Sequence, residues 1–471
     1  MKNNIIKIIN GILIIAFVIL LCPKSMQNDT FWSIKVGQEL VEEGIKEFDD
    51  WSIHSGLKYV AHHFCTDIII YFAYSVGGFF ALYVLEVILA LIIAGLFYIA
   101  NKQLTSNTKI SYMFLYIQMY LFMPFIAVRA QMISTIIFLT QFIVLEKMYK
   151  EYKHRYAIIL TILPLILANF HMGVLPFYFV IMGAYLVASM GIGTKNIIAE
   201  KKINVFKALL LSMIVGLIIT LVNPYGVDGS IYGLKTLFSD TITYNIEEFK
   251  PLSFGHDLGV FIFIYTLFIV IIFKISKQIK LKDILLILGT LFMSCSSLRY
   301  VLYYVIFSTV ILSYVSKIKI DFKEHDILAL NAMKYTVICI AIFFLVGLRI
   351  NDTQYIDKTY YPVKAYESTK QYFNEDTRVF NEYAWGSYLE LNNEKVFIDS
   401  RLDLYTEEYN DGVTVFKDFL NINLKYKEII EKYDINMFFI KSNTALSTIL
   451  SVDNDFEEVY KDDVACVYIK K

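Results

Sequence analysis

The chain is short of charge. Only 18% of its 471 residues are Asp, Glu, Lys or Arg, whereas soluble domains average about 25%. With 57% hydrophobic residues and a mean hydropathy of +0.53, this deficit excludes an ordinary soluble domain and points to a membrane protein. There is no basic surplus either. A net charge of -1 argues against a nucleic-acid partner, because neutralising a phosphate backbone takes an excess of Lys and Arg. The five cysteines form no framework. Cys22, Cys65 and Cys466 fall in or beside segments expected outside, Cys295 and Cys339 fall in apolar runs, and no pair has metal-ligand spacing. They read as small buried hydrophobes. A cleavage site is missing as well: Leu20 and Leu21, not small residues, precede Cys22 at the end of the apolar run that follows Lys2 and Lys7. That run is expected to be an uncleaved first span.

What the chain has in abundance is apolar length and aromatic rings. Apolar runs occur near 5–22, 79–100, 108–126, 131–148, 156–170, 174–190, 206–223, 258–275, 282–297, 299–316 and 333–349. A helix needs about 20 residues to cross a bilayer, so several runs must borrow flanking residues. Tyr and Phe, 35 and 37 of them, gather at the ends of the runs, where amphipathic rings settle at an interface. The expected fold is mainly α: a polytopic transmembrane helix bundle of about eleven spans. With the N-terminus inside, inner loops collect about twenty basic residues and outer loops about eight. Lys102, Lys109, Lys147, Lys195, Lys282 and Lys317 are among the inner ones.

The expected domains are a transmembrane domain, 1–349, with outer loops 23–66 and 224–257, and an extracytoplasmic α/β domain, 350–471. In the first outer loop Phe31, Trp32, Val36 and Leu40 alternate with Lys35, Gln38 and Glu39 at helical spacing, predicting an amphipathic helix lying on the membrane surface. Gly77-Gly78 is expected to turn the chain into the second span. In the C-terminal domain, strands are expected at 378–380, 395–398, 437–440 and 465–469, alternating with helices at 413–420, 424–433 and 444–452.

This topology puts a set of polar residues on the outer face: Asp29, Asp50, His62, His63, Arg129, Gln131, Asn169, His171, Asn223, Glu248, Lys250 and Arg299. Ionisable groups at the edge of apolar segments are costly unless paired or wet, so they default to functional candidates. Each also has a plainer reading. Arg129 and Arg299 suit snorkelling anchors, His62 and His63 suit interfacial packing, and Asn223-Pro224-Tyr225-Gly226 suits a helix stop. Their shared sidedness is what lifts them.

The order of these residues resembles a broad family of bacterial multi-span proteins. Asp29-Thr30-Phe31-Trp32, Gly37, Asp50-Trp51-Ser52 and Tyr59-Val60-Ala61-His62-His63 follow its first-loop pattern. Arg129-Ala130-Gln131, Asn169-Phe170-His171-Met172-Gly173, Asn223–Gly226 and Glu248-Phe249-Lys250-Pro251 follow in order. Trp385-Gly386-Ser387-Tyr388-Leu389 and Phe397-Ile398-Asp399-Ser400-Arg401 complete the series. Ala130, Met172 and Ser33 depart from the family's proline, glycine and histidine. Such proteins resemble the GT-C superfamily of membrane glycosyltransferases, which draw sugars from polyprenyl-phosphate carriers on the outer face.

That resemblance implies roles. Asp29, with Asp50, would be catalytic, and Arg129, Lys250 and Arg299 would bind the donor phosphate. His62, His63, Gln131, Asn169, His171, Glu248, Asp399 and Arg401 would contact substrate, with Asp399 and Arg401 equally suited to a structural ion-pair cluster. A divalent metal, Mg or Mn, held by Asp29 with Asp50 or His62, stays open. The implied partners are a polyprenyl-phosphate lipid, the membrane, and an envelope glycan or lipid acceptor. A transporter or flippase, or a non-catalytic envelope scaffold, are the alternatives; the absence of an obvious internal repeat and the few charges within the spans speak against transport.

Overall fold

The apolar runs become helices in the computed structural model, which describes residues 2–194, 197–255, 257–276, 279–315, 343, 346–347 and 354–471. The chain divides into two compact units: Met1–Pro23 with Tyr83–Thr353, and Lys24–Leu82 with Gln354–Lys471.

Helices run in chain order as α1 (Lys2–Leu21), α2 (Asn28–Glu42), α3 (Phe64–Thr105), α4 (Thr108–Phe122), α5 (Ala130–Lys150), α6 (His154–Phe170), α7 (Leu175–Ala188), α8 (Ile203–Ile219), α9 (Gly226–Leu237), α10 (Asp240–Asn245), α11 (Asp257–Ile275), α12 (Leu281–Ser296) and α13 (Val301–Val315). Four helical stretches among the described residues are long and apolar enough to cross a membrane: Phe64–Thr105, Ala130–Lys150, Asp257–Ile275 and Leu298–Val315. Ile8–Leu21, His154–Phe170, Met172–Ala188 and Ile203–Ile219 are apolar but shorter. The expected span at 333–349 lies outside the described residues. Gly77 and Gly78 have non-helical backbone, so Phe64–Thr105 is two helices meeting at a kink where the chain was expected to turn; Gly78 takes φ +58°, a conformation that suits glycine.

In the first unit α5 and α13 are the most enclosed helices, with Phe138, Phe142, Tyr303 and Phe307 fully buried between them. α8 and α11 instead turn Leu211, Leu217, Ile264 and Phe268 outward, the apolar exterior expected of helices facing lipid. At the C-terminal end of α5, Lys282 is not the solvated loop lysine expected from sequence. It is buried between Glu146 and Asp283 (2.6 Å to the latter), with Tyr185 and Tyr314 donating to those carboxylates. This cluster ties together the ends of α5, α7, α12 and α13.

The second unit draws the first loop region and the C-terminal segment into one body. Its sheet has the order β3-β4-β6-β5, where β1 (Ile197–Ile198) and β2 (Ile279–Lys280) form a short parallel pair in the other unit. β3 (Val379–Asn381) runs parallel to β4 (Met437–Lys441); β6 (Ala465–Lys470) is antiparallel to β4 and to β5 (Phe456–Lys461). Two strand expectations change. Residues 395–398 form only a single parallel bridge, Val396 to Ser52, beyond which the Asn381 side chain accepts from the Phe397 and Ile398 amides and donates to the Ile398 carbonyl. β5, rich in Glu and Lys, was hidden by its solvated edge position.

The amphipathic helix is present as α2, but its apolar face is covered by protein and not by membrane. Phe31 is fully buried against the rings of Tyr361 and Tyr388 at 5.0 and 6.0 Å. A Cβ on Gly37 would lie 2.6 Å from Tyr71 Cβ and nearer still to the Asp67 carbonyl, so this glycine sets how closely α2 packs on α3.

Candidate functional site

Helix breaks place the site. Arg129 caps α5 in extended conformation after the 3-10 turn Met123–Phe125. His171 ends α6 just before the turn Met172–Val174. Glu248 sits in the turn Glu247–Phe249, and Arg299 in the turn Leu298–Tyr300 that enters α13. Each break frees a polar side chain from an apolar helix, and the first unit brings these four together with Gln131.

Arg129 donates through Nε and Nη2 to Gln131 Oε1 at 3.2 and 2.9 Å. Its Nη2 lies 3.4 Å from Glu248 Oε2, and Arg299 Nη1 lies 3.8 Å from Glu248 Oε1. The two guanidinium groups thus share one carboxylate. All three keep surface: the side chains of Arg129, Arg299 and Glu248 are 21%, 19% and 39% exposed. Crowding by protein pushes the Glu248 carboxyl up, but Arg299 and Arg129 outweigh it and hold the group below its usual range. Beneath them, Arg299 Nη2 contacts His171 Nε2 at 3.2 Å. Guanidinium only donates, so His171 Nε2 accepts and the proton resides on Nδ1. Nδ1 then donates to Ser134 Oγ at 3.1 Å, and Ser134 donates to the Gln131 carbonyl at 3.0 Å, with Tyr303 Oη 3.4 Å away. Arg299 also lies over the Phe249 ring at 5.0 Å.

The loop carrying Glu248 is stitched down by its backbone. Ser297 Oγ donates to the Glu248 carbonyl, the Leu298 amide to the Lys250 carbonyl and the Leu252 amide to the Cys295 carbonyl, at 3.0, 3.0 and 3.2 Å. Ser134, Tyr303 and Ser297 escaped sequence reading. The available signal was a hydroxyl one turn from Gln131 in an apolar helix. Lys250 points elsewhere, to Glu247 at 2.6 Å. Asn169 donates to the Leu165 and Val222 carbonyls, closing helix ends. Asn223 does the same for Thr220 and Gly226, the helix-stop reading.

The remaining expected residues belong to the second unit. Asp29 is half-buried in the first turn of α2, a favourable place for negative charge. Its charge joins burial and Tyr360 in raising the Tyr361 phenol. His62 stacks on Trp32 at 5.7 Å, and His63 holds Asp67 Oδ1 with Nδ1 at 2.7 Å. Asp50 gathers not with Asp29 or His62 but with Glu39 and Glu43. Lys46 Nζ already sits among these three carboxylates, 2.8, 2.7 and 2.5 Å from Glu39, Glu43 and Asp50. A divalent ion there would have to displace an ammonium that the same oxygens hold. Asp29 and His62 are not members of that carboxylate group.

Asp399 and Arg401 are spent on the core. Arg401 is 2% exposed and reaches Asp399, Glu390 and Asp49 at 2.6, 3.0 and 2.7 Å, with its guanidinium 4.6 Å from the Trp51 ring centre. Burial first, then the neighbouring Asp399, push the Glu390 carboxyl far above its usual range. Arg401 overcomes burial to keep Asp399 ionised. Of the two readings of this pair, the geometry selects the structural ion cluster.

No family model and no curated protein matches the chain. Solved structures do. The apo oligosaccharyltransferase of Archaeoglobus fulgidus superposes with a TM-score of 0.61 at 11% identity, covering 92% of this chain and 69% of that one. The fold is GT-C-like. The same enzyme tethered to an acceptor peptide containing the NVT sequon gives 0.57 at 10% identity, over 92% and 68%. Its complex with Zn and sulfate gives 0.57 at 11%, over 91% and 67%. The likeness is one of fold, and it agrees with the resemblance read from the motifs.

Proposed function

We propose that the chain is a multi-pass membrane glycosyltransferase that moves a sugar from a polyprenyl-phosphate donor to an envelope glycan or lipid on the outer face. The observation that carries this reading is the convergence of Arg129 and Arg299, both accessible, at the loop-bearing end of a GT-C-like helical unit. The leaving group of such a transfer is a lipid phosphate, and guanidinium forks match phosphate oxygens. In the reaction an acceptor hydroxyl oxygen bonds to the anomeric carbon as the bond from that carbon to the phosphate oxygen breaks. The hydroxyl proton goes to a general base, the role that the motif resemblance implies for Asp29, and a carboxylate also favours the positive charge growing on the sugar. Arg129 and Arg299 take up the charge that develops on the phosphate. The orientation follows the basic-residue asymmetry: N-terminus cytoplasmic, about eleven spans, residues 350–471 extracytoplasmic.

Native mass spectrometry of the purified protein with polyprenyl phosphates and polyprenyl-phosphate sugars tests this reading. Wild type and Asp29→Asn should bind, and Arg129→Ala should bind more weakly. No selective binding of either lipid by wild type would turn the reading toward transport or a scaffold.

A further inference from the structure

Two arginine clusters in this chain use carboxylates in different ways, and the contrast is informative. Around Arg401 the contacts to three acids run from 2.6 to 3.0 Å and the side chain is 2% exposed. That is a locked pair, and breaking such a pair is costly. Around Glu248 the contacts are 3.4 and 3.8 Å, and the carboxylate is 39% exposed. Ion pairs that long and that wet contribute little to stability. Yet the backbone beneath Glu248 is firmly held to residues 295–298. The carboxylate can therefore leave the guanidinium pair by rotating its own side chain, with the loop staying in place.

We infer that Glu248 is a built-in competitor of the phosphate: its carboxylate occupies the place between Arg129 and Arg299 that the donor's phosphate takes, and it swings out when phosphate enters. This rests on the phosphate-binding reading above and adds a specificity rule to it. Seated, the Glu248 carboxylate offsets positive charge of the arginine pair; displaced, it no longer does. A ligand must therefore bring at least as much charge, and as many acceptor oxygens, as the carboxylate it replaces. Phosphate esters do so; neutral sugars do not. His171 supports the exchange. Its Nε2 holds one Arg299 nitrogen from below, a contact that does not involve Glu248.

The test measures binding of a short-chain polyprenyl phosphate, and separately of inorganic phosphate, to the full-length protein in detergent micelles. Wild type is compared with Glu248→Gln, Glu248→Ala, Arg129→Ala and Arg299→Ala. Removing a like charge a few ångströms from the ligand should tighten binding by about tenfold. Both Glu248 variants should show this gain for the lipid phosphate, and both arginine variants a loss. The same gain for inorganic phosphate assigns the effect to the phosphate group alone; a gain for the lipid only adds a contact to its chain. Unchanged or weaker binding in both Glu248 variants, with losses in the arginine variants, overturns the competitor and leaves the phosphate site standing. Binding that neither arginine variant affects overturns both.

Discussion

Arg299 Nη2 meets His171 Nε2 at 3.2 Å, and that single contact sets the proton of a buried imidazole. The ring then passes its Nδ1 proton toward Ser134, linking the turn before α13 to the α5 helix. His171 is therefore a positioning residue for the arginine, and its loss should be felt as a loss of anion binding. A hydrogen bond to a charged group contributes about 1.5–3 kcal/mol. His171→Ala should thus weaken polyprenyl-phosphate binding by roughly tenfold or more, while His171→Gln, which keeps an acceptor, should recover part of it. Equal losses in both variants, accompanied by a lower melting temperature, would reduce His171 to a packing residue.

Arg401 makes the opposite prediction. Replacing it with Met leaves Asp399, Asp49 and Glu390 buried around an apolar chain. Removing one partner of such a cluster costs about 3–5 kcal/mol. Arg401→Met should lower the unfolding midpoint sharply in denaturant titrations, yet the protein that remains folded should bind lipid phosphate as wild type does. Preserved stability with lost binding would return Arg401 to the substrate site.

His54 gives the second unit a pH dependence of known sign. Burial pushes its imidazole down from 6.5 to about 4, against the bond its Nε2 makes to the Phe397 carbonyl at 2.8 Å. The folded state thus refuses a proton that the unfolded chain accepts between those values. Stability from this group is complete above pH 6.5 and falls as pH drops toward 4, by about 1.4 kcal/mol per pH unit. Melting curves from pH 7 to 4.5 should show a steeper decline for wild type than for His54→Gln, which keeps a donor to Phe397 but does not titrate. Parallel curves would mean that His54 already carries its charge in the fold.

Much of this was legible before any coordinates. Helical spacing announced α2 and most of the bundle, and sidedness picked out Arg129, Gln131, His171, Glu248 and Arg299, which the structure brings together. What the sequence could not carry was which partner each polar group would take. Lys282 looks like any loop lysine until two acids and two phenols close on it. Asp50 reads as a catalytic acid until Lys46, four residues earlier, is seen to hold it with Glu39 and Glu43. Residues 395–398 have strand composition, yet their backbone is shared among the Asn381 side chain, the Trp51–Ile53 segment and His54. In each case a long-range contact decided, and local pattern contains no record of it.

Gly37 shows the same lesson in a testable form. It lies in α2, where glycine is ordinarily less stable than alanine by about 0.5–1 kcal/mol, so propensity alone predicts that Gly37→Ala stabilises. Packing predicts the reverse. The new Cβ would meet Tyr71 Cβ at 2.6 Å and the Asp67 carbonyl more closely still, and the second of these is helix backbone that has no rotamer to change. Overpacking of this kind costs about 1–3 kcal/mol, and the two helices would have to move apart. Gly95, in α3 itself, is the control, because a Cβ there meets nothing within 4 Å. Gly95→Ala should leave the melting temperature unchanged or raise it, and Gly37→Ala should lower it by several degrees. If both substitutions stabilise, α2 does not pack on α3 through Gly37, and the close crossing described for the second unit is wrong.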